Sequence, residues 1–209
     1  QHTITGTTKA LDRFAFNEAA HLIYDFLWHD YCDWYVELAK LRLADGADSK
    51  TLSILLDTLE TSLRLLHPIM PFVTEELWQY LRPETRDPRL EATSSLPPVS
   101  SLQSQVSSIM LAAWPKADKK LVDEDAEAKF ALFQNIVTQV RNTRSELNVP
   151  HDRKTPVVLL VSKDAAKSRF LNEHKNWLQP LAQVSVVDVR QDYHRQNDAV
   201  VRIIHGVEV

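Results

Sequence analysis

LLHPIMPFVTEELWQYL, residues 65–81, is the stretch on which the fold turns. Proline has no N–H to donate and its ring collides with the preceding turn, so a helix running up to His67 ends before Pro68. Pro71 holds the turn that follows. Thr74, Glu75 and Glu76 then open an amphipathic helix, expected to bury Val73, Leu77 and either Trp78 or Leu81. His67 sits at a helix end, where its ring favours the dipole and needs no catalytic role. The whole reads as a tight helix-to-helix corner, an element of a bundle.

Upstream of the corner the apolar residues keep helical spacing. Thr3 to Leu11 reads as the end of a longer helix. Asp12 is a candidate cap for the next, on which Phe16, Ala19, Ile23, Phe26 or Leu27, Trp34, Leu38 and Leu41 recur at three- or four-residue steps. Tyr24, Trp28, Tyr31 and Tyr35 make a neighbouring aromatic stripe. Its spacing assigns it to core packing, the rival use being stacking on unpaired bases. DGADS, residues 45–49, stops this helix, and Ser49 is placed to cap another with Leu52, Leu55 or Leu56, Leu59, Leu63 and Leu66 on one face.

Residues 83–107 turn to Pro, Ser, Thr and Gln with few large apolar side chains, which is loop composition. After SIMLAAWP (108–115), a long helix begins at Asp123 and places Ala126, Phe130, Phe133, Val137, Val140 and Leu147 on one face before stopping at Asn148, ahead of Pro150. From Thr155 the period changes. VVLLV (157–161) reads as a buried strand, 164–177 as an amphipathic helix, VSVVDV (184–189) as a strand and AVVRIIHGVEV (199–209) as another. The expected fold is mainly α: an antiparallel helical bundle over 1–150, with a small C-terminal α/β subdomain over 151–209.

Composition removes several functional classes. The chain has 209 residues, and 44% hydrophobic content suffices for an ordinary core. Its glycines are Gly6, Gly46 and Gly206, so no glycine-rich phosphate cradle can form. A single cysteine, Cys32, excludes an internal disulfide and a multi-thiolate metal site. His29, Asp30, Cys32, Asp33 and Glu37 run along one helix with no partner motif, and no metal is expected. No catalytic residue is expected either, because no nucleophile stands with a base. No apolar run approaches the roughly 20 residues of a bilayer span, so a cytoplasmic protein is expected. The start on Gln1 and the strand-like end at Val209 read as a piece of a longer protein. The net charge of −4 disfavours an all-over phosphate-binding surface and leaves room for a local basic face.

FLWHDYCDWYVELAK (26–40), HPIMPFVTEELWQ (67–79), SIMLAAWP and VRNTRSELNVP (140–150) together resemble the tRNA anticodon-binding domain of class I aminoacyl-tRNA synthetases. HPIMPFVTEELWQ marks the enzymes for aliphatic amino acids in general. CDWYVELAK and VRNTRSELNVP are nearest the valyl branch, with the isoleucyl and leucyl branches as competitors. The resemblance implies a monomeric module that binds tRNA, valine tRNA above all, and is attached to the catalytic domain of a parent chain. It implies no cofactor here, ATP being used by the parent. The HIGH-like and KMSKS-like signatures are absent, so this chain is not expected to aminoacylate by itself. The family's first helix runs further upstream and its valyl members add a C-terminal coiled-coil arm, while the serine-rich stretch near 94–107 looks longer than usual.

In that family unpaired anticodon nucleotides are read by helix-borne side chains. In an antiparallel bundle the start of helix one, the end of helix two and the start of helix three meet at one end, which here carries Lys40, Arg42 and Lys50. Thr51 and Ile54, taken as exposed at that end, are expected to touch a base. Arg141, off the apolar face beside Thr138 and Ser145, is a candidate phosphate contact. Arg144 lies on the apolar face and is expected to pair with Glu75 or Glu76. The opposite end, with Arg13, Asn17 and His67, ranks lower. The reading from another class is a helical protein-interaction module, which an exposed apolar patch would mark.

Overall fold

The computed structural model describes residues 1–44, 46, 48–81, 108–150, 152–192 and 200–209. The loop assigned to 83–107 lies outside them. The chain divides into two compact units, Gln1–Val122 and Asp123–Val209. That division falls ahead of residue 150 because the long helix packs with the C-terminal elements.

The first unit is helical. It runs α1 (His2–Asp12), α2 (Phe16–Asp25), a π-helix (Phe26–Val36), α3 (Glu37–Ala44), α4 (Ser49–Leu66), α5 (Pro71–Leu81) and short 3-10 turns at Ile109–Leu111 and Lys119–Leu121. Asp12 ends α1 instead of capping α2, and Phe14 between them takes a left-handed φ of 61°. Ile4, Ile23 and Leu65 form one buried cluster with Leu27, Leu66, Ile69 and Trp114 against it. Leu63, Trp78 and Ile109 form another.

The corner is built as its prolines require, with one correction. Helix α4 stops at Leu66 and α5 starts on Pro71, the first-turn position where a missing N–H costs nothing. Thr74, fully buried, gives its single hydroxyl hydrogen to the carbonyls of Met70 (2.8 Å) and Pro71 (3.2 Å). The Nδ1 of His67 lies 2.7 Å from the same oxygen, so Nδ1 carries the proton and donates. Trp78 is buried as expected; Val73 and Leu77 are each 44% exposed.

SIMLAAWP is a strap across the first unit. Glu75 accepts from Ser108 Oγ (2.8 Å) and the Ile109 N–H (3.1 Å), Arg64 donates to the Ala113 carbonyl (3.0 Å), and Trp114 Nε1 donates to Thr8 (2.9 Å). Each anchor comes from a different helix.

The second unit comprises α6 (Glu124–Glu146), β1 (Thr155–Val161), α7 (Ala165–Glu173), α8 (Lys175–Ala182), β2 (Val184–Arg190), β3 (Ile203–Ile204) and β4 (Val207–Glu208). The sheet order is β2-β1-β4-β3, with β1 and β2 parallel and the other pairs antiparallel. Asp123 caps α6 by accepting the Ala126 N–H at 3.0 Å. Leu132, Phe133, Ile136, Val137 and Val140 are its buried apolar residues, whereas Leu147 is 58% exposed. The single helix expected over 164–177 is two, separated at His174. The strand expected over 199–209 is a hairpin of two short strands, turning at His205 and Gly206, both with positive φ.

Arg144 differs from expectation in its partners. It is buried, and it donates to Thr155 Oγ1 (2.7 Å), Arg153 O (2.8 Å), Gln183 Oε1 (3.0 Å), Gln183 O (3.1 Å) and Pro150 O (3.3 Å). Among the described residues no carboxylate reaches it. Oxygen dipoles from the turn after α6, the start of β1 and the end of α8 satisfy the guanidinium, which knits those ends together.

Candidate nucleic-acid interface

At the α3–α4 junction Asp48 draws Arg42, Lys50 and Thr51 together. As the N-cap of α4, Asp48 accepts the N–H groups of Lys50 (3.1 Å) and Thr51 (3.4 Å) on one oxygen. Its other oxygen takes the Thr51 hydroxyl at 2.6 Å and the Arg42 guanidinium at 2.9 Å. The Thr51 hydroxyl bond, above all, holds the Asp48 carboxyl below its ordinary range; desolvation, next in size, opposes this, and the Thr51 N–H, Arg42 and the Lys50 N–H reinforce the lowering. Ser49, read as the cap, is the first helical residue, because Asp48 satisfies the same orphan N–H groups with a charged oxygen.

The individual assignments fare differently. Thr51 is 2% exposed and bound to Asp48, so it is a capping residue and cannot meet a base without undoing the cap. Lys40 is exposed and pairs with Glu37 at 2.5 Å one turn back on α3. Arg42 is half exposed with Asp48 as its partner. Lys50 is exposed, and Ile54, 53% exposed, follows one turn later on the same face of α4. Arg141 belongs to the second unit, where its Nε donates to the Leu181 carbonyl at 2.9 Å while the residue stays exposed.

Ile54 opens onto a groove of about 960 Å³ in the first unit, which sequence reasoning missed. Asp57, Glu60 and Arg64 continue its wall along α4, and Trp114 and Lys116 face them from the strap. Glu60 is buried; desolvation pushes its carboxyl up, Arg64 pulls it down and Asp57 adds to the rise. The Arg64 Nε lies 3.5 Å from Glu60 and is buried without a hydrogen bond. Such a groove offers an apolar ring contact at Ile54 and Trp114, carboxyl oxygens for base N–H donors, and an exposed lysine for phosphate. The missed signal is KADKK, residues 116–120, whose Lys116, Lys119 and Lys120 are all exposed.

The aromatic stripe splits. Tyr31 is buried, donating its hydroxyl to the Leu55 carbonyl at 2.9 Å, and burial pushes its phenol up to about 12. Tyr35 stacks on it with ring centroids 6.1 Å apart. Tyr24 and Trp28 are exposed. The π-helix explains the difference: i→i+5 bonding takes more residues per turn, so a stripe spaced at three and four residues drifts off one face. Among the described residues no His, Cys, Asp and Glu group is arranged to hold a metal ion, and no helix is long and apolar enough to cross a membrane.

Comparison with known families assigns the class of protein to which this fold belongs. Residues 1–159 match the anticodon-binding domain of tRNA ligase, and the chain belongs to that family. The match passes the unit boundary, covers α6 and enters β1. Among individual proteins the chain is similar to valine-tRNA ligases. It is 39% identical over 195 residues to that of Laribacter hongkongensis, covering 92% of this chain and 19% of the relative. It is 34% identical over 210 residues to that of Bacillus cereus (99% and 21%) and 40% identical over 157 residues to that of Thermotoga maritima (75% and 16%). The chain thus spans about a fifth of the length of these relatives.

Proposed function

We propose that this chain recognises the anticodon stem-loop of a valine tRNA on behalf of a valine-tRNA ligase. The observation that carries the reading is the family match over residues 1–159, to which the valine-tRNA ligase similarity across nearly the whole chain adds the amino acid. The module's task is recognition. Joining valine to tRNA with ATP, in the cytoplasm where protein is made, falls to the remainder of such an enzyme. Ile54 on α4 and Lys116 on the strap supply a base contact and a phosphate contact along one groove, and Lys50, one turn before Ile54 on α4, supplies a second phosphate contact. Arg42 joins them by exchanging Asp48 for a phosphate, and Arg141 is a separate phosphate contact on the second unit taken by itself.

Affinities for stem-loops with valine, isoleucine and leucine anticodons, measured at low and moderate salt, test the proposal. Preference for the valine loop, with affinity falling as salt rises, is the expected result. Equal affinity for all three loops overturns the valine assignment, and no binding at low salt overturns the autonomy of the module.

A further inference from the structure

The junction of α2 and the π-helix presents a face that tRNA recognition does not use. Tyr24 and Trp28 are 53% and 56% exposed, their rings within 6° of parallel and their centroids 6.1 Å apart. His29 stands edge-on to Tyr24 at 6.2 Å. Two large rings held in a fixed pair and left in water form a ready-made anchor point, since little side-chain freedom remains to be lost on binding.

The charge around the rings has one sign. Residues 14–39 contain Glu18, Asp25, Asp30, Asp33 and Glu37 and no lysine or arginine. Asp25, Asp30 and Asp33 are all exposed, and among the described residues neither Asp25 nor Asp30 has an ion-pair or side-chain hydrogen-bond partner. Asp33 faces His29 at 3.6 Å. A phosphate strand brought to this face meets unneutralised carboxylates and is repelled. A cation meets electron-rich ring faces and carboxylates together, and guanidinium suits both, being planar, weakly hydrated and able to stack.

We propose that Tyr24 and Trp28, with Asp25 next to Tyr24 in the chain and Asp33 beside the His29 that edges Tyr24, form a docking surface for an arginine-bearing polypeptide segment. The guanidinium lies on the open face of the aromatic pair, in a stretch whose charged side chains are carboxylates. This surface is independent of the anticodon reading, because its charge selects against nucleic acid.

The test is a proton–nitrogen correlation spectrum of the intact chain, in which five tryptophans give five indole signals and Trp28→Phe assigns the one in question. The probes are acetyl-Gly-Arg-Gly-Arg-Gly-amide, the same peptide with citrulline for arginine, and a hexauridine RNA. The arginine peptide is expected to move the Trp28 indole signal and to bind about five-fold or more tighter than the citrulline peptide. The paired change Asp25→Asn and Asp30→Asn, made at exposed positions and checked by an unchanged unfolding midpoint, weakens the arginine peptide alone. Equal response to arginine and citrulline overturns the proposal. So does a Trp28 signal moved by the RNA and not by the peptide, or moved by neither.

Discussion

Thr51 gives its hydroxyl hydrogen to Asp48 across 2.6 Å, and the same carboxylate receives Arg42 at 2.9 Å. One aspartate therefore ends the orphan N–H groups of α4 and fixes the guanidinium nearest the proposed interface. Because the Thr51 hydrogen bond holds the Asp48 carboxyl below its ordinary 3.8, its stabilisation is complete above that value and is lost as pH falls through the lower folded value. Thermal unfolding of the chain and of Asp48→Asn across acid pH checks this. The advantage of the parent chain over the variant is expected to be constant at neutral pH and to shrink only below 3.8.

The proposed interface separates side chains that bind from one that only supports. Lys50→Glu and Lys116→Glu are each expected to weaken stem-loop binding similarly for every sequence and to lower the dependence of log affinity on log salt by about one. Ile54→Ala is expected to compress the difference between valine and isoleucine loops, since an apolar base contact carries selectivity. Thr51→Val should lower the unfolding midpoint by about 2–4 °C and leave affinity per folded molecule unchanged. Binding titrations at several salt concentrations, beside a melting curve for each variant, distinguish these outcomes. A Thr51→Val chain that is stable and fails to bind would return Thr51 to the interface.

How far the sequence could be read depended on how local the physics was. The α4–α5 corner was legible because proline sterics act within a few residues, and Leu66 and Pro71 bound it accordingly. Thr51 was misread for want of one fact, that Asp48 and not Ser49 starts the cap, which rotates Thr51 inward to the capping oxygen. The exposure of Trp28 goes with the π-helix on which it lies, whose longer turn leaves no mark in residue spacing. Arg144 lies on the buried face as its periodicity requires. Its partners come from residues 150, 153, 155 and 183, and no helical pattern reports that convergence.

Glu75 is expected to control the strap. Burial pushes its carboxyl up, but hydrogen bonds from Ser108, Gln79 and the Ile109 N–H outweigh it, with a smaller contribution from His67, and the group ends below its ordinary value. Glu75→Ala takes this acceptor from the Ser108 hydroxyl and the Ile109 N–H, at a cost of about 1–3 kcal/mol. Hydrogen exchange at the Ile109 amide should accelerate sharply in the variant, because that N–H bonds directly to Glu75. The parent chain should show the same acceleration in acid, as pH falls through the depressed value below 4.5. Unchanged Ile109 exchange in Glu75→Ala would mean that Arg64 and Trp114 hold the strap unaided.

Arg144 makes the sharpest prediction for the second unit. Its two terminal nitrogens serve oxygens on Pro150, Arg153, Thr155 and Gln183, and Gln183 sits in a left-handed conformation with φ of 54° between α8 and β2. Lysine keeps the charge, but its one nitrogen cannot span an acceptor set that two forked nitrogens reach. Arg144→Lys therefore strands several carbonyls in a buried site and should destabilise this unit by about 3 kcal/mol, more than any surface arginine would. Chemical denaturation followed by Trp177, which lies on α8, measures the loss. Arg141→Lys is the control. That residue is exposed and its Nε donates to Leu181 O at 2.9 Å, so a loss below about 1 kcal/mol is expected. Equal losses in the two variants would show that the oxygen cage around Arg144 contributes nothing beyond ordinary packing.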